Sequence, residues 1–293
     1  MGPMRLRRSL LFVPGSTPEG MATAAAIAVD GVILDLEDTV APGQKPQARE
    51  WVVAALRRVD FNGRERIVRV NPLDSPYGSQ DLAAAVPVAP DAVLLPKVSS
   101  PDAVVRADRE VSRLEREAGL GPGLIRFHLL IETVAGVLDV EAVTRSSPRI
   151  AALLFGAGDL MRETRGRVAP GRVSELYALS RVLFAARAVG LDAIDTPHFD
   201  LEDAPGLEAH ARIAAELGYD GKAVIHPTQV DVVNRLFTPS GEAVARARRL
   251  LEAYERAEGA RAGALVLEGQ FVDAVHVQTA RETLARARLA GVG

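Results

Sequence analysis

Two acids, Glu132 and Asp159, each stand where an apolar, strand-forming run gives way to small residues: Leu130-Ile131-Glu132-Thr133 and Phe155-Gly156-Ala157-Gly158-Asp159-Leu160. A buried parallel strand ends in this way where it meets a loop at its C-terminal edge, so both carboxylates are aimed at one rim. Two carboxylates on neighbouring strand ends form a sparse, hard-oxygen site of the kind Mg²⁺ takes. That ion keeps several waters and accepts one or two protein oxygens beside those of a substrate. The competing reading is structural, since an acid after a strand also caps the following helix or pairs with an arginine. Gly156 and Gly158 flank the second acid and let backbone N–H groups approach a ligand oxygen, although a tight turn alone would use them as well.

Further chemistry-bearing residues recur at the ends of other apolar runs. Glu37 and Asp38 close Gly31-Val32-Ile33-Leu34-Asp35-Leu36-Glu37-Asp38, Arg69 lies in Val68-Arg69-Val70-Asn71, Lys97 ends Leu95-Pro96-Lys97, and His226 follows Val224-Ile225. Arg69 offers a planar fork to a carboxylate or a developing enolate oxygen. A buried ion pair with Glu37 is the other use for it, and five donors allow both. The lysines are Lys45, Lys97 and Lys222. A Schiff-base aldolase would need one of them desolvated at the rim, but Glu37 beside Lys97 would keep that amine charged and poorly nucleophilic, and Lys222 begins its strand at the other end. His198 and His226 follow strand ends without the closely spaced histidine motif of a zinc site, and His128, inside a strand, reads as a hydrogen-bonded core residue.

The elements that must position these groups alternate along the chain. Strands are expected at Ser9–Val13, Gly31–Asp38, Arg66–Asn71, Ala92–Lys97, Ile125–Glu132, Ala151–Phe155, Asp192–Asp195 and Gly221–His226. Helices are expected between them, among them Ala48–Arg58, Ala103–Glu117, Val137–Thr144, a long one over Gly171–Val189, and Leu207–Leu217. Eight strands alternating with helices, and no G-x-G-x-x-G after the first, indicate an α/β fold of the (β/α)₈ TIM-barrel class rather than an open doubly wound sheet. The barrel is expected over 1–228 and a C-terminal helical arm over 229–293, with a helix from about Ser240 to Glu258, a small-residue hinge at Gly259–Gly263, the segment Ala264–Asp273 and a final helix to about Leu289. Phe271-Val272-Asp273 would otherwise expose an acid with no task, so the arm is expected to cross to a neighbouring subunit.

Composition narrows the partners. With 293 residues, 48% of them hydrophobic, the chain can bury a full core. A net charge of −3 with acids and bases dispersed argues against nucleic acid and against a membrane-binding basic face, and favours a small molecule. The absence of cysteine removes thiol nucleophiles and thiolate metal sites and suits a reducing compartment. Arg7-Arg8 before Ser9–Val13 superficially imitates a twin-arginine export signal, but the apolar run stops at Pro14-Gly15, and no stretch nears the roughly 20 apolar residues of a membrane span. A cytoplasmic protein is expected.

Taken together, Arg8-Ser9-Leu10-Leu11-Phe12-Val13-Pro14-Gly15, Ile33 to Asp38, Val68-Arg69-Val70-Asn71, Leu95-Pro96-Lys97, Ile131-Glu132-Thr133 and Phe155 to Leu160 resemble the citrate lyase β-subunit-like proteins of the HpcH/HpaI aldolase superfamily. The resemblance implies Mg²⁺ held by Glu132 and Asp159, the substrate arginine at Arg69, and an acid–base aspartate, here Asp273, from a neighbouring subunit; Lys97, Gly156 and Gly158 are expected around the substrate from their own places on the rim. Glu37 and Asp38 are the next candidates for that proton transfer. The reaction implied is reversible carbon–carbon cleavage of a citryl, citramalyl or malyl thioester, on coenzyme A or an acyl-carrier protein, to a 2-oxo acid and a shorter acyl thioester. Related readings are a synthase and thioesterase or a pyruvate aldolase, and a non-catalytic barrel subunit is the reading of another class. A homo-oligomer is implied, a trimer by resemblance.

Overall fold

Eight parallel strands pair in chain order and close, the first against the last, into a barrel in this computed structural model, which describes residues 5–259 and 265–292. The elements run β1 (Ser9–Pro14), α1 (Pro18–Ala24), β2 (Gly31–Asp35), α2 (Lys45–Arg58), β3 (Glu65–Arg69), α3 (Gly78–Ala85), β4 (Ala92–Leu95) and α4 (Pro101–Glu117). There follow β5 (Arg126–Ile131), α5 (Val134–Leu138), α6 (Val140–Thr144), β6 (Ile150–Phe155), α7 (Ala157–Thr164), α8 (Leu176–Arg187), β7 (Asp192–Asp195), α9 (Ala204–Leu217) and β8 (Gly221–Val224). The chain ends with α10 (Val230–Phe237), α11 (Gly241–Gly259), β9 (Leu265–Leu267), β10 (Gln270–Val272) and α12 (Ala274–Leu289). This is the α/β TIM-barrel class expected from the alternation.

The strands are apolar on both faces because helices cover the outside and side chains fill the lumen. Leu10, Ile33, Ile67, Leu94, Leu130, Leu154 and Ile194 pack together as one buried cluster. Strand side chains alternate, so two residues on from Ile33, Ile67, Leu130, Leu154 and Ile194 the same face presents Asp35, Arg69, Glu132, Gly156 and Thr196 at the C-terminal rim.

Several boundaries differ from expectation for local reasons. The run from Gly31 leaves the ladder after Asp35, because that carboxylate accepts hydrogen bonds from the Glu37 amide (2.9 Å), the Thr39 amide (3.3 Å) and the Thr39 hydroxyl (2.6 Å). Such side-chain acceptors fold the backbone into a turn, and Glu37 and Asp38 therefore lie on a loop. The helix expected from Gly171 begins at Leu176, since Arg172 adopts a left-handed conformation (φ 53°) and turns its guanidinium inward. The expected 137–144 helix is two short ones, α5 and α6, meeting at Asp139.

The chain divides into two compact units, with the barrel in residues 7–234 and the other unit holding 235–292 with Arg5 and Leu6. The division falls within α10, later than the expected 228. Val230 and Val233 are buried, and the Asn234 side chain accepts from Ser9 Oγ and donates to the Ala28 carbonyl, both at 2.7 Å, which ties the start of this helix to the barrel. The second unit is helical with an added antiparallel β9–β10 hairpin, and has its own small core of Ala247, Leu250, Val272, Val277 and Ala280. Of the expected hinge, 260–263 lies outside the described residues. No described helix is long and apolar enough to cross a membrane.

Candidate active site at the barrel rim

Arg69, the last residue of β3, is held from the neighbouring strand. Asp35 grips it through two hydrogen bonds of 2.6 Å, Nε to Oδ1 and Nη2 to Oδ2, with Asp35 fully buried. Burial alone would raise the Asp35 carboxyl, but the Arg69 guanidinium holds it below the usual carboxylate range. Nη1 of Arg69 lies 3.0 Å from Glu37 Oε2, and the guanidinium carbon sits 4.9 Å from the Phe12 ring centroid, so stacking and pairing together set the plane of the fork. The pair expected with Glu37 is present, but the bidentate partner is Asp35.

Lys97 ties the rim together. Its ammonium meets Glu37, lies 3.2 Å from Asp38 Oδ1 and 3.7 Å from Asp159 Oδ2. Burial opposes the charge, yet the Glu37 hydrogen bond and its neighbouring acids hold the amine well above the ordinary lysine range, so it is a cation rather than a nucleophile. Its backbone is left-handed (φ 52°), which turns the Lys97 amide to donate to Glu132 Oε1 at 2.9 Å. A non-glycine residue in that region is strained, and the strain is spent on orienting a rim carboxylate.

Glu132 follows β5, and burial, then the charge of Glu37, push its carboxyl up to about 8. Glu37, buried beside it, is pushed up to about 7. Gly156 makes room for the Glu132 side chain: a Cβ there would stand 2.5 Å from Glu132 Cβ and 3.0 Å from Oε2. Asp159 lies in the first turn of α7, 3.0 Å from Arg162 Nη2 on its outer side. The structural partners weighed from sequence, a helix terminus and an arginine, are both there, and the carboxylate still reaches the ammonium of Lys97. The rim thus holds more carboxylates (Asp35, Glu37, Asp38, Glu132, Asp159) than cations (Arg69, Lys97), in a crowded, partly buried place. That surplus of hard oxygens, and the space kept open at Gly156, is the kind of environment a divalent cation bound mostly by water and substrate takes, although no cluster of three or more ligating side chains forms among the described residues. Gly158 has only the Phe199 ring near it, 3.8 Å from where a Cβ would stand.

Of the other candidates, the barrel's own four lie apart from this cluster. His226 is exposed and accepts from the Thr228 amide in its own loop, and His198 stacks edge-on against His210 at 5.1 Å, so the two do not form a zinc pair. His128 is fully buried, 3.3 Å from Glu65, at the N-terminal end of the strands. Lys222 is also fully buried, but it points toward the helices, where its ammonium binds Asp195 at 2.7 Å. Asp273 belongs to the second unit and caps α12, with Oδ1 accepting from the Val275 amide at 3.0 Å and the His276 amide at 3.4 Å. Its hydrogen bond with His276 lowers its carboxyl. Residues that the sequence reading passed over hold the rim from behind. Lys45 donates to the Leu36 and Glu37 carbonyls at 2.8 and 2.7 Å, Asn71 donates to the Leu36 carbonyl at 2.7 Å, and the Thr196 hydroxyl accepts from the Ala157 amide at 3.1 Å. Lys45 had a signal, a lysine at a helix start seven residues after Asp38; the others had none.

The sequence profile of the HpcH/HpaI aldolase/citrate lyase family matches residues 8–227, which spans every barrel strand. The chain is 37% identical over 280 residues to a (3S)-malyl-CoA thioesterase of Cereibacter sphaeroides, covering 96% of this chain and 94% of that one. It is 36% identical over 288 residues to the citrate lyase subunit beta of Escherichia coli, covering 98% and 95%. Among solved structures it is similar to CitE of Mycobacterium tuberculosis in complex with magnesium, acetoacetate and coenzyme A, with a TM-score of 0.78, 35% identity, and 96% and 97% of the two chains covered.

Proposed function

This chain belongs to the HpcH/HpaI aldolase/citrate lyase family and is a lyase, and on that premise we propose that its rim reversibly cleaves a carbon–carbon bond in the thioester of a hydroxy acid. The substrates are of the citryl, citramalyl or malyl kind, carried on coenzyme A or an acyl-carrier protein, and the products are a 2-oxo acid and a shorter acyl thioester. The observation that carries the reading is the meeting of Glu132 and Asp159 with Lys97 beside an Arg69 whose fork is fixed by Asp35. The similarity to a malyl-CoA thioesterase and to a citrate lyase subunit beta, and the magnesium and coenzyme A in the similar CitE structure, support the same choice of metal and thioester.

Glu132 and Asp159 would hold Mg²⁺, which when bound supplies Lewis-acid polarisation of the substrate's carboxylate and adjacent hydroxyl. Arg69 keeps donors beyond those given to Asp35 and Glu37, and these stabilise the oxygen of the thioester enolate as the bond breaks. Lys97 adds a fixed positive charge that its acidic neighbours prevent from titrating. Asp273, delivered from a neighbouring subunit of a homo-oligomer, a trimer by family resemblance, takes the hydroxyl proton as the carbon–carbon bond breaks and passes it to the enolate carbon, and runs in reverse for condensation. The compartment is the cytoplasm.

Malyl-, citramalyl- and citryl-thioesters, on coenzyme A and on acyl-carrier protein, incubated with and without Mg²⁺ test the reading. A 2-oxo acid released with the acyl thioester intact is the expected result. The similarity to a malyl-CoA thioesterase favours a second reading, in which free thiol appears with malate and no 2-oxo acid. No Mg²⁺-dependent turnover of any ester overturns both.

A further inference from the structure

The helix that carries Asp159 cannot cap itself. Its N-cap position is Gly156, which makes no side-chain cap hydrogen bond, and Glu132 forbids a side chain there because a Cβ would lie 2.5 Å from its own. Ser, Thr, Asp or Asn, the residues that ordinarily satisfy the first amides of a helix, are therefore excluded at the one place where they act. The amide of Ala157, the first residue of α7, is instead satisfied from the next strand, by the Thr196 hydroxyl at 3.1 Å.

Thr196 directly follows β7, where a buried ion cluster holds the chain. The preceding residue, Asp195, projects to the opposite face and is bound by Arg172 through both oxygens at 2.8 Å and by Lys222 at 2.7 Å. The Lys222 ammonium also donates to the Thr196 carbonyl at 2.5 Å, and Glu175 neutralises the second arginine edge at 2.6 Å. Arg172, Glu175, Asp195 and Lys222 are each 0% exposed. Fully buried ion pairs seldom repay their desolvation better than apolar residues of the same volume, so net stability does not explain such a cluster.

We propose that Thr196, fixed by the Lys222–Asp195–Arg172–Glu175 cluster, is a positioning residue that sets the start of α7 and thereby the reach of Asp159 toward the metal held with Glu132. The inference rests on the metal reading above. It extends the rim's support to a part of the barrel, the layer between β7, β8 and the outer helices, that touches no substrate. Residues that orient metal ligands from behind typically change affinity by about 10- to 100-fold when lost.

Lys222→Met would leave a buried carboxylate half-paired and threatens folding, so the test is placed at Thr196. Thr196→Val removes the acceptor and keeps the shape, and Thr196→Ser keeps the acceptor. Calorimetry with magnesium chloride, with Glu132→Gln as the lost-site reference, should show binding about 10- to 100-fold weaker in Thr196→Val and near wild type in Thr196→Ser. The thermal midpoint should fall modestly in Thr196→Val, which leaves the buried Ala157 amide unpaired, and stay close to wild type in Thr196→Ser, and amide hydrogen exchange over 156–159 should be faster in the valine variant alone. Wild-type affinity in Thr196→Val, where Glu132→Gln binds no Mg²⁺, overturns the positioning role and leaves the metal reading standing. If wild type itself binds no Mg²⁺, the metal reading falls and the Asp159 part of the inference with it. Exchange then decides the remainder: unchanged protection at Ala157 in Thr196→Val overturns the cap.

Discussion

Glu132 is where protons and a cation compete. Its burial and the nearby charge of Glu37 push the carboxyl up to about 8, so a cation that takes this oxygen must displace a proton below that pH. Apparent Mg²⁺ affinity should therefore weaken as pH falls below about 8, by about tenfold per unit while a single proton is displaced, and level off above it. Glu37, at about 7, steepens the loss further down. Calorimetry across roughly pH 6.5 to 9 measures this; an affinity that does not change over that range would mean Glu132 is ionised throughout and the competition is absent. Asp273 poses a different residue-scale problem, because its carboxylate has a structural task. It caps α12, so an alanine there mixes lost capping with lost chemistry. Asparagine separates them. Asp273→Asn should keep the thermal midpoint and lose about 10²- to 10⁴-fold in turnover if the acid moves the proton. Full turnover in that variant would leave Asp273 as a helix cap only.

At the scale of the element, the two glycines before and inside the start of α7 have different work. A methyl at Gly156 would collide with Glu132 Cβ, whereas one at Gly158 would meet only the Phe199 ring at an ordinary 3.8 Å. Gly156→Ala must push either β5 or α7 aside, costing about 1–3 kcal/mol by overpacking, and should lose Mg²⁺ binding with it. Gly158→Ala should bind as wild type. Equal losses in the two variants, read by calorimetry and thermal melts, would indicate that both glycines serve the turn and neither serves the carboxylate. The same element shows why β2 is shorter than its apolar run. Asp35, the last residue in the ladder, accepts the Glu37 and Thr39 amides and so turns the chain away, and the same carboxylate pins Arg69 on the next strand.

For the molecule as a whole, the division into a barrel unit and a second unit bears on where the acid–base group comes from. Around Asp273, Val266, Phe271 and Val275 are largely exposed, and on the barrel unit so are Val173, Tyr177 and Phe184. Apolar exposure of this kind fits burial in an assembly. If Asp273 completes the site of another subunit, Glu132→Gln and Asp273→Asn chains, each inactive alone, should regain part of the activity after subunit exchange, since some mixed pairs join an intact metal site to an intact aspartate. Exchange demonstrated by mass with no regained activity would place the group elsewhere, with Glu37 and Asp38 next.

The sequence by itself determined the barrel, the order of its strands and the rim on which Glu37, Asp38, Arg69, Lys97, Glu132 and Asp159 meet. These follow from local periodicity: apolar runs of strand length alternating with helical spacing leave few foldings, and a period of two assigns faces without knowing any partner. Only the tertiary structure decided which charge holds which. Asp35 rather than Glu37 takes the Arg69 fork, Arg172 breaks the expected long helix to reach Asp195, Thr196 caps a helix thirty-nine positions away, and α10 begins on the barrel. Ion pairs and caps between distant segments depend on distances across packed elements, where a shift of about an ångström decides whether a hydrogen bond forms. No spacing along the chain encodes that distance.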